Sequence, residues 1–345
     1  MLYKLLSVSK CNKVAEINIG DYIQALASSQ YYPRVDGFLD RDEDLKDYDG
    51  APCKVIMNGW YMHNPKNWPP SEKISPLFVA FHLNALVKKE LTSQESISYL
   101  KSHAPIGCRD MNTVNLLREK DVDAYFSGCM TLTLGKKYHS KEREDKTYIV
   151  DPLVEDIGGI GNVFTSICHF FKYPYEIISL LRNPGLHIHM GRNKIKTFLK
   201  TSLFHKIYSE LFSRKIVMNS IYICQQSKYF SKAITTDKER LSEAEKLVKQ
   251  YAKAKLVITS RIHCALPCLG LETPVLFLRK RHDSEANSCR FDGLTDLFNI
   301  IIVDNKGLHP TFPSKLPDGE IPTNKENWKG LADSLDKKCL AFIAE

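Results

Sequence analysis

The sequence predicts an α/β protein made of two doubly wound units with a cleft between them. Short apolar runs rich in β-branched residues alternate along the chain with segments of helical periodicity. This alternation is typical of parallel sheets covered by helices on both faces. The length of 345 residues is too great for one ordinary core and is suited to about two domains.

The first domain is predicted at 1–140. Its strands are expected where short apolar runs end at turn residues or polar groups, at 1–8, 53–57, 77–81, 106–108 and 123–126. Its helices are expected at 18–28, 93–102 and 111–120. Asp21 lies in or near the first turn of the first of these helices.

The charged segment 135–146 is poor in apolar residues and has the composition of an interdomain linker. The second domain is predicted at 147–320, and a separate C-terminal helical segment at 321–345. Their elements are expected as a strand at 147–150, a mostly helical region at 160–215, an amphipathic helix at 239–254 and a last helix at 324–344.

The most informative stretch, 255–278, has the pattern of a strand, a helix and a second strand. Thr259 and Ser260 are expected to cap the helix. Arg261 and His263 then lie where the carboxyl end of a strand meets a helix N-terminus, and open α/β sheets bind ligands there. Free amides at the helix end favour an anion, a guanidinium adds a fork for carboxylate or phosphate, and an imidazole adds a mobile proton. The alternative is that these residues only stabilise the turn.

Composition favours a soluble protein that acts on an anion. Hydrophobic residues make up 43% and charged residues 26% of the chain, which is ordinary for globular proteins. The net charge of +8 suits an anionic small substrate or surface, and the sequence carries no nucleic-acid-binding signature. The ten cysteines form no Cys-x-x-Cys pair, so packing is favoured over metal binding. No signal peptide or membrane-spanning run is apparent, and a cytoplasmic protein is expected.

The segment 192–215 predicts a basic amphipathic helix. Apolar residues recur with helical spacing from Ile195 to Phe212, and seven lysines and arginines occur among the other positions of 192–215. Such a helix can contact the inner face of an anionic membrane peripherally. The alternative is a helix that covers one face of a sheet while its lysines face solvent.

Three short motifs occur in order along the chain: Asn18-Ile-Gly-Asp21, an Arg-Asp-x-x-Thr segment within 107–113 and a Ser-Arg-x-His block within 259–267. They resemble, in the same order, the Asn-x-Gly-Asp turn and the two corresponding blocks of the polysaccharide pyruvyl transferase family. One departure is Glu272, which stands where the family often has glycine. Its carboxylate is expected to face solvent.

The resemblance implies two Rossmann-like domains arranged as in the GT-B glycosyltransferases. It implies phosphoenolpyruvate as donor and a pair of sugar hydroxyls as acceptor. The products are a pyruvate ketal and phosphate, in the biosynthesis of bacterial-type surface polysaccharides such as capsule or exopolysaccharide. It implies no metal and no organic cofactor. Whether the acceptor is linked to a lipid stays open.

The family blocks also suggest roles for single residues. The residues expected to bind the donor are Arg261, Ser260, Ile262 and Arg290. His263 is expected to donate a proton to the enol carbon or to stabilise charge at the phosphate, and Asp21 to act as base for the sugar hydroxyl. The alternative for Asp21 is to stabilise the helix dipole.

The residues expected on the acceptor side are Asn18, His82, Arg109 and Trp60. A structural hydrogen bond is the alternative for His82, and an ion pair with Asp110 is the alternative for Arg109. The aromatic group of Trp60, Tyr61 and Trp68 fits either sugar stacking or core packing.

Two other classes of function fit the same fold, since fold does not fix function. One is a GT-B glycosyltransferase that uses a nucleotide sugar. The other is a non-catalytic saccharide-binding protein. The presence of both Arg261 and His263 argues against the latter, because a binding protein needs no proton donor.

Overall fold

The first half of the chain forms a continuous layer of parallel strands. The computed structural model describes residues 1–8, 16–154, 160–190, 193–227, 233–281, 289–304, 306–313, 316 and 320–345. The strands of the first half are β1 (Leu2–Ser7), β2 (Ile17–Asn18), β3 (Gly37–Asp40), β4 (Cys53–Ile56), β5 (Gly59–Tyr61), β6 (Ile74–Leu77), β7 (Phe81–Leu83), β8 (Ile106–Cys108) and β9 (Ala124–Phe126).

Two four-stranded sheets make up this layer, in the orders β3-β1-β4-β6 and β5-β7-β8-β9. A hydrogen bond joins them, from Gly107 N in β8 to the carbonyl oxygen of Phe78, the residue after β6, at 3.0 Å. The bounds of the strand expected at 77–81 are wrong. Extended structure is interrupted between β6 and β7, where Ala80 has a φ of 53°. His82 therefore lies within a strand and not at the end of one.

The second half forms a six-stranded sheet. Its strands are β10 (Thr147–Val150), β11 (Ile221–Ile223), β12 (Gln226–Ser227), β13 (Leu256–Thr259), β14 (Val275–Lys280), β15 (Asn299–Val303) and β16 (Leu308–Pro310). The order is β11-β10-β13-β14-β15-β16, with β16 antiparallel and the other pairs parallel. The remaining strand, β12, pairs with β2 of the first half in an antiparallel ladder.

The two sheets share one doubly wound order. In each, the second long strand lies on one side of the first, and the later strands follow on the other side. Ligands bind such sheets at the carboxyl end of the strands where the order reverses. The reversal lies between β1 and β4 in the first sheet and between β10 and β13 in the second.

Helices cover both sheets and confirm the predicted alternation. The described residues form α1 (Ile19–Ser29), α2 (Lys88–Leu91), α3 (Gln94–Ser102), α4 (Met111–Arg118), α5 (Gly135–Tyr138), α6 (Ile160–Lys172), α7 (Pro174–Leu181), α8 (Pro184–Met190), α9 (Lys194–Leu211), α10 (Arg214–Asn219), α11 (Asp237–Lys253), α12 (Ile262–Gly270) and α13 (Lys329–Ala344). The described helices are too short or too polar to cross a membrane.

Side-chain caps fix the beginnings of several helices. Asn18 caps α1, Ser93 caps α3 and Asp110 caps α4, each by accepting a hydrogen bond from a backbone amide in the first turn. The predicted caps of α12 are wrong. Thr259 Oγ1 accepts from Arg261 N at 3.0 Å, and the Ser260 hydroxyl donates to Asp151 O at 2.6 Å. The first turn of α12 is left without a side-chain cap.

The largest apolar core contains residues of both halves. Helix α1 of the first half packs against α11 of the second, and Tyr22 donates a hydrogen bond to Asp237 Oδ1 at 2.6 Å. Helix α13 returns to the first half, where Lys54 Nζ donates to Phe342 O at 2.6 Å. Arg143, within the segment predicted as a linker, donates to the carbonyl oxygens of Leu271 and Glu272. The domain boundaries stay a prediction.

Candidate active site

A cavity of about 440 Å³ lies where the carboxyl ends of the two sheets meet. Residues of both halves line it. Eight of the ten predicted site residues are among them: Asn18, Asp21, Trp60, Arg109, Arg261, Ile262, His263 and Arg290. The other two, Ser260 and His82, do not line it.

The turn between β13 and α12 holds Arg261 in one orientation. Its Nε donates to Asp151 Oδ2 at 2.6 Å, and its Nη1 donates to Gln226 Oε1 at 3.1 Å. Asp151 follows β10, the neighbouring strand, so the reversal of strand order brings this pair together. The guanidinium is 32% exposed while the carboxylate is 3% exposed. The buried carboxylate of Asp151 thus fixes the partly exposed guanidinium of Arg261 at the edge of the cavity.

His263 is the second residue of α12 and is almost fully buried. Its backbone, with φ −84° and ψ 18°, kinks the helix at its first turn. Its Nε2 lies 3.4 Å from Arg109 Nη1, and its Nδ1 lies 3.4 Å from Gln24 Nε2. Burial lowers the pKa of His263 well below its usual value, and the nearby charges of Arg109, Arg290 and Arg41 lower it further. At neutral pH the imidazole of His263 is therefore uncharged.

A neutral imidazole has one acceptor nitrogen and one donor nitrogen. Arginine and an amide NH₂ group both donate, so only one of the two 3.4 Å contacts of His263 is a hydrogen bond at a time. Among the described residues, Arg109 Nε and Gln24 Oε1 are buried with no hydrogen-bond partner. The polar network around His263 is therefore incomplete at these two atoms.

The first half contributes an acidic and aromatic wall. Asp21 Oδ1 accepts from Gln24 Nε2 at 3.2 Å and lies 3.7 Å from Arg41 Nη1. The buried Arg41 guanidinium lies over the ring of Trp60, 5.6 Å from its centroid. Trp60 also contacts the ring of His63 at 4.5 Å. Arg41 therefore contacts both Asp21 and Trp60, and all three side chains line the cavity.

The aromatic group is divided between the two expected roles. Trp60 lines the cavity, whereas Tyr61 and Trp68 are buried in the core with Phe78 and Phe81. The side chain of Glu272 is half exposed and lies 3.4 Å from His139, on the surface. Its expected position in solvent is confirmed.

His82 and Asp110 form a buried pair behind the cavity. His82 Nδ1 lies 2.5 Å from Asp110 Oδ2, and Asp110 Oδ1 accepts from Thr113 N at 2.9 Å. Burial and the charge of Arg109 lower the pKa of His82 to about 4, against the opposite effect of Asp110. The expected structural hydrogen bond of His82 is present. Arg109 contacts His263 and does not form the alternative ion pair with Asp110.

Positive charge dominates the cavity. Four arginines line it, against the two carboxylates of Glu16 and Asp21. Arg290, in a short 3₁₀ helix, lies with its guanidinium over the Phe291 ring and acts electrostatically on both His82 and His263. A pocket with several arginines and an open helix N-terminus is suited to an anion with more than one charge.

The sequence reasoning missed Arg41, Gln24, Asp151 and Gln226. Asp151 carried a usable signal, because it directly follows a predicted strand whose neighbour ends at Arg261. Gln24 lies one turn after Asp21 on the same helix, so the helical period places it on the same face. Arg41 and Gln226 carried no such signal, since the short strands beside them lack a clear apolar pattern.

The fold and the cavity define an α/β protein with an arginine-rich cleft between two mainly parallel sheets. A model of the polysaccharide pyruvyl transferase family matches residues 18–279, and the chain belongs to this family. It is thus a member of a transferase family that acts by pyruvyl transfer in polysaccharide synthesis. Comparisons with curated proteins and with solved structures gave no match.

Proposed function

We propose that the protein transfers pyruvate from phosphoenolpyruvate to two hydroxyls of a saccharide, forming a ketal and releasing phosphate. The observation that carries this proposal is the convergence of four arginines and His263 on one cavity between two doubly wound sheets. A pyruvate donor with a carboxylate and a phosphate needs several cationic donors held at fixed positions. The proposal includes a GT-B-like arrangement of the two halves and a role in surface polysaccharides.

Donor binding falls mainly to the second half of the chain, with one arginine from the first half, Arg109, which the sequence predicted on the acceptor side. Arg261, fixed by Asp151, would bind one anionic group of the donor through its open edge. The amides of Ile262 and His263, at the uncapped N-terminus of α12, would bind oxygens of the same ligand. Arg109 and Arg290 supply the remaining positive charge. No metal or organic cofactor is required by this scheme.

His263 would protonate the methylene carbon of the donor. Burial and the charges of the surrounding arginines hold its pKa low. A bound donor brings negative charge and draws Arg109 towards itself, so the pKa of His263 rises when the donor is present. The imidazolium then gives its proton to carbon, and the adjacent carbon becomes electrophilic.

The acceptor hydroxyl attacks that electrophilic carbon and transfers its proton to Asp21. A second hydroxyl forms the other carbon–oxygen bond as the bond to phosphate breaks, and its proton leaves with the phosphate. Asn18 Oδ1 already accepts from Gly20 N at 3.0 Å, so Asn18 holds the helix beside the acceptor and Trp60 offers the stacking face. The first hydroxyl's proton balances the one given to the methylene carbon.

The test is phosphate release from phosphoenolpyruvate with and without an acceptor saccharide. Release that requires both compounds and is lost in Arg261→Ala supports the proposal. Arg34→Ala is the matched control, because Arg34 is 60% exposed and pairs with Asp36 on the surface. Binding of a nucleotide sugar without any response to phosphoenolpyruvate would instead support a glycosyltransferase. Saccharide binding without turnover would support a non-catalytic protein.

A further inference from the structure

The helical region between β10 and β11 carries an apolar surface that no described residue covers. Eleven large hydrophobic side chains are exposed in the described part of the chain, and six of them lie here: Phe164, Ile167, Phe171, Tyr175, Ile178 and Ile195. Phe171 is 76% exposed and Tyr175 is 86% exposed. An exposed cluster of this kind marks an interaction surface.

The geometry of α6 separates this surface from the core. Phe164, Ile167 and Phe171 are spaced by three and four residues and so share one face of the helix. The opposite face packs against α9, where the Ser202 hydroxyl donates to Ser166 O at 2.6 Å. The apolar stripe of α6 therefore contributes little to the protein interior.

Charge is concentrated in the same region. From the start of α6 to the end of α9, residues 160–211, the sequence has seven lysines and arginines and two acidic residues, Glu176 and Glu210, a net +5 in a chain of net +8. Glu176 is itself engaged by Arg214 at 3.3 Å. Lys172 follows Phe171 at the end of α6, and Lys194 and Lys196 flank Ile195 at the start of α9. The ring centroids of Phe170 and Phe198 lie 4.8 Å apart, so these two helix ends are neighbours.

We propose that the basic apolar surface, formed by these residues of α6, α7 and the start of α9, docks on an anionic lipid bilayer. Apolar side chains enter the interface while lysines meet the lipid headgroups. A second copy of the chain is disfavoured as the occupant, because it would bring an equal positive charge against the first. This inference does not rest on the proposed reaction.

The contact differs from the one expected at 192–215. In α9 the apolar residues Leu199, Leu203 and Phe204 are buried, as in a helix that covers a sheet. Arg192 lies outside the described residues. The apolar part of the contact therefore comes from α6 and α7, and α9 supplies chiefly lysines and Ile195.

The test is vesicle flotation of the full chain. Vesicles of phosphatidylcholine and phosphatidylglycerol in equal parts are compared with phosphatidylcholine alone, at low and high salt. We expect binding to the anionic vesicles only, weakened by salt. Phe171→Ser with Tyr175→Ser is expected to weaken it at least tenfold, by loss of apolar insertion. Lys172→Gln and Lys194→Gln are expected to weaken it about fivefold each.

Leu86→Ser with Leu340→Ser is the matched control, because these side chains are 81% and 53% exposed elsewhere on the surface. It is expected to bind vesicles as the unaltered protein does. Equal binding by the Phe171→Ser, Tyr175→Ser variant, with an unchanged melting temperature, would overturn the proposal. So would a dimer in sedimentation that becomes a monomer in this variant while vesicle binding stays the same.

Discussion

Gly20 offers a sharp test of the packing around the candidate proton donor. It lies in the first turn of α1, directly beside His263. A Cβ at this position would lie 3.0 Å from His263 Cβ, 3.0 Å from Asn18 Oδ1 and 3.4 Å from His263 Nδ1. Carbon atoms in contact are ordinarily about 3.5–4.0 Å apart. The methyl group of Gly20→Ala must therefore displace the imidazole by a few tenths of an ångström.

Two effects on the free energy of unfolding oppose each other in Gly20→Ala. Alanine stabilises a helix by up to about 1 kcal/mol relative to glycine, and overpacking a buried contact costs about 1–3 kcal/mol. We expect a net loss of about 1 kcal/mol, measured by urea unfolding. We also expect kcat for phosphate release to fall about tenfold, because small displacements of a catalytic group are costly.

Gly330→Ala is the control for this prediction. Gly330 lies in the first turn of α13, and a Cβ there meets no described atom within 4 Å. It should gain stability from the same helix effect and keep full activity. If Gly20→Ala matched it in both respects, the close approach of α1 to His263 would be refuted.

Three further outcomes follow from the site. Asp151→Asn should raise KM for phosphoenolpyruvate about tenfold with a smaller change in kcat, because Arg261 loses its charged partner; steady-state kinetics test this, and an unchanged KM would contradict it. The pKa of His82 is lowered to about 4, so its stabilising contribution is present above its unfolded pKa and is lost as pH falls. About 2 kcal/mol of it should disappear by about pH 5, and urea titrations should show a flatter pH dependence in His82→Gln. Trp60→Ala should raise KM for the acceptor, whereas Trp68→Ala, in the core, should lower the melting temperature. The reverse pattern would refute the assignment of Trp60 to the acceptor site.

Much of this fold was predictable from local patterns. The run from β13 to β14 combines a short apolar strand, a helix and a second strand, and the structure matches it closely. The positions of Asn18 and Asp110, polar residues directly before helical segments, are typical of helix N-caps. Where the secondary-structure propensity of a segment agrees with its pattern of burial, the sequence pattern is sufficient to predict the element.

The rest depends on contacts between distant parts of the chain. Thr259 and Ser260 have the right chemistry for caps, but their hydroxyls form hydrogen bonds with other backbone groups, the amide of Arg261 and the carbonyl oxygen of Asp151. The pairing of Arg261 with Asp151 joins residues 110 positions apart, and no local period encodes it. The same holds for the contact of Arg109 with His263, which joins the two halves.

The most direct test of the central claim is a crystal structure of the protein soaked with phosphoenolpyruvate. The account predicts the donor within the cavity, with its anionic groups on Arg109 and Arg261 and its methylene carbon facing the imidazole of His263. A donor bound outside this cavity, or a cavity that stays empty at concentrations that support turnover, would contradict it.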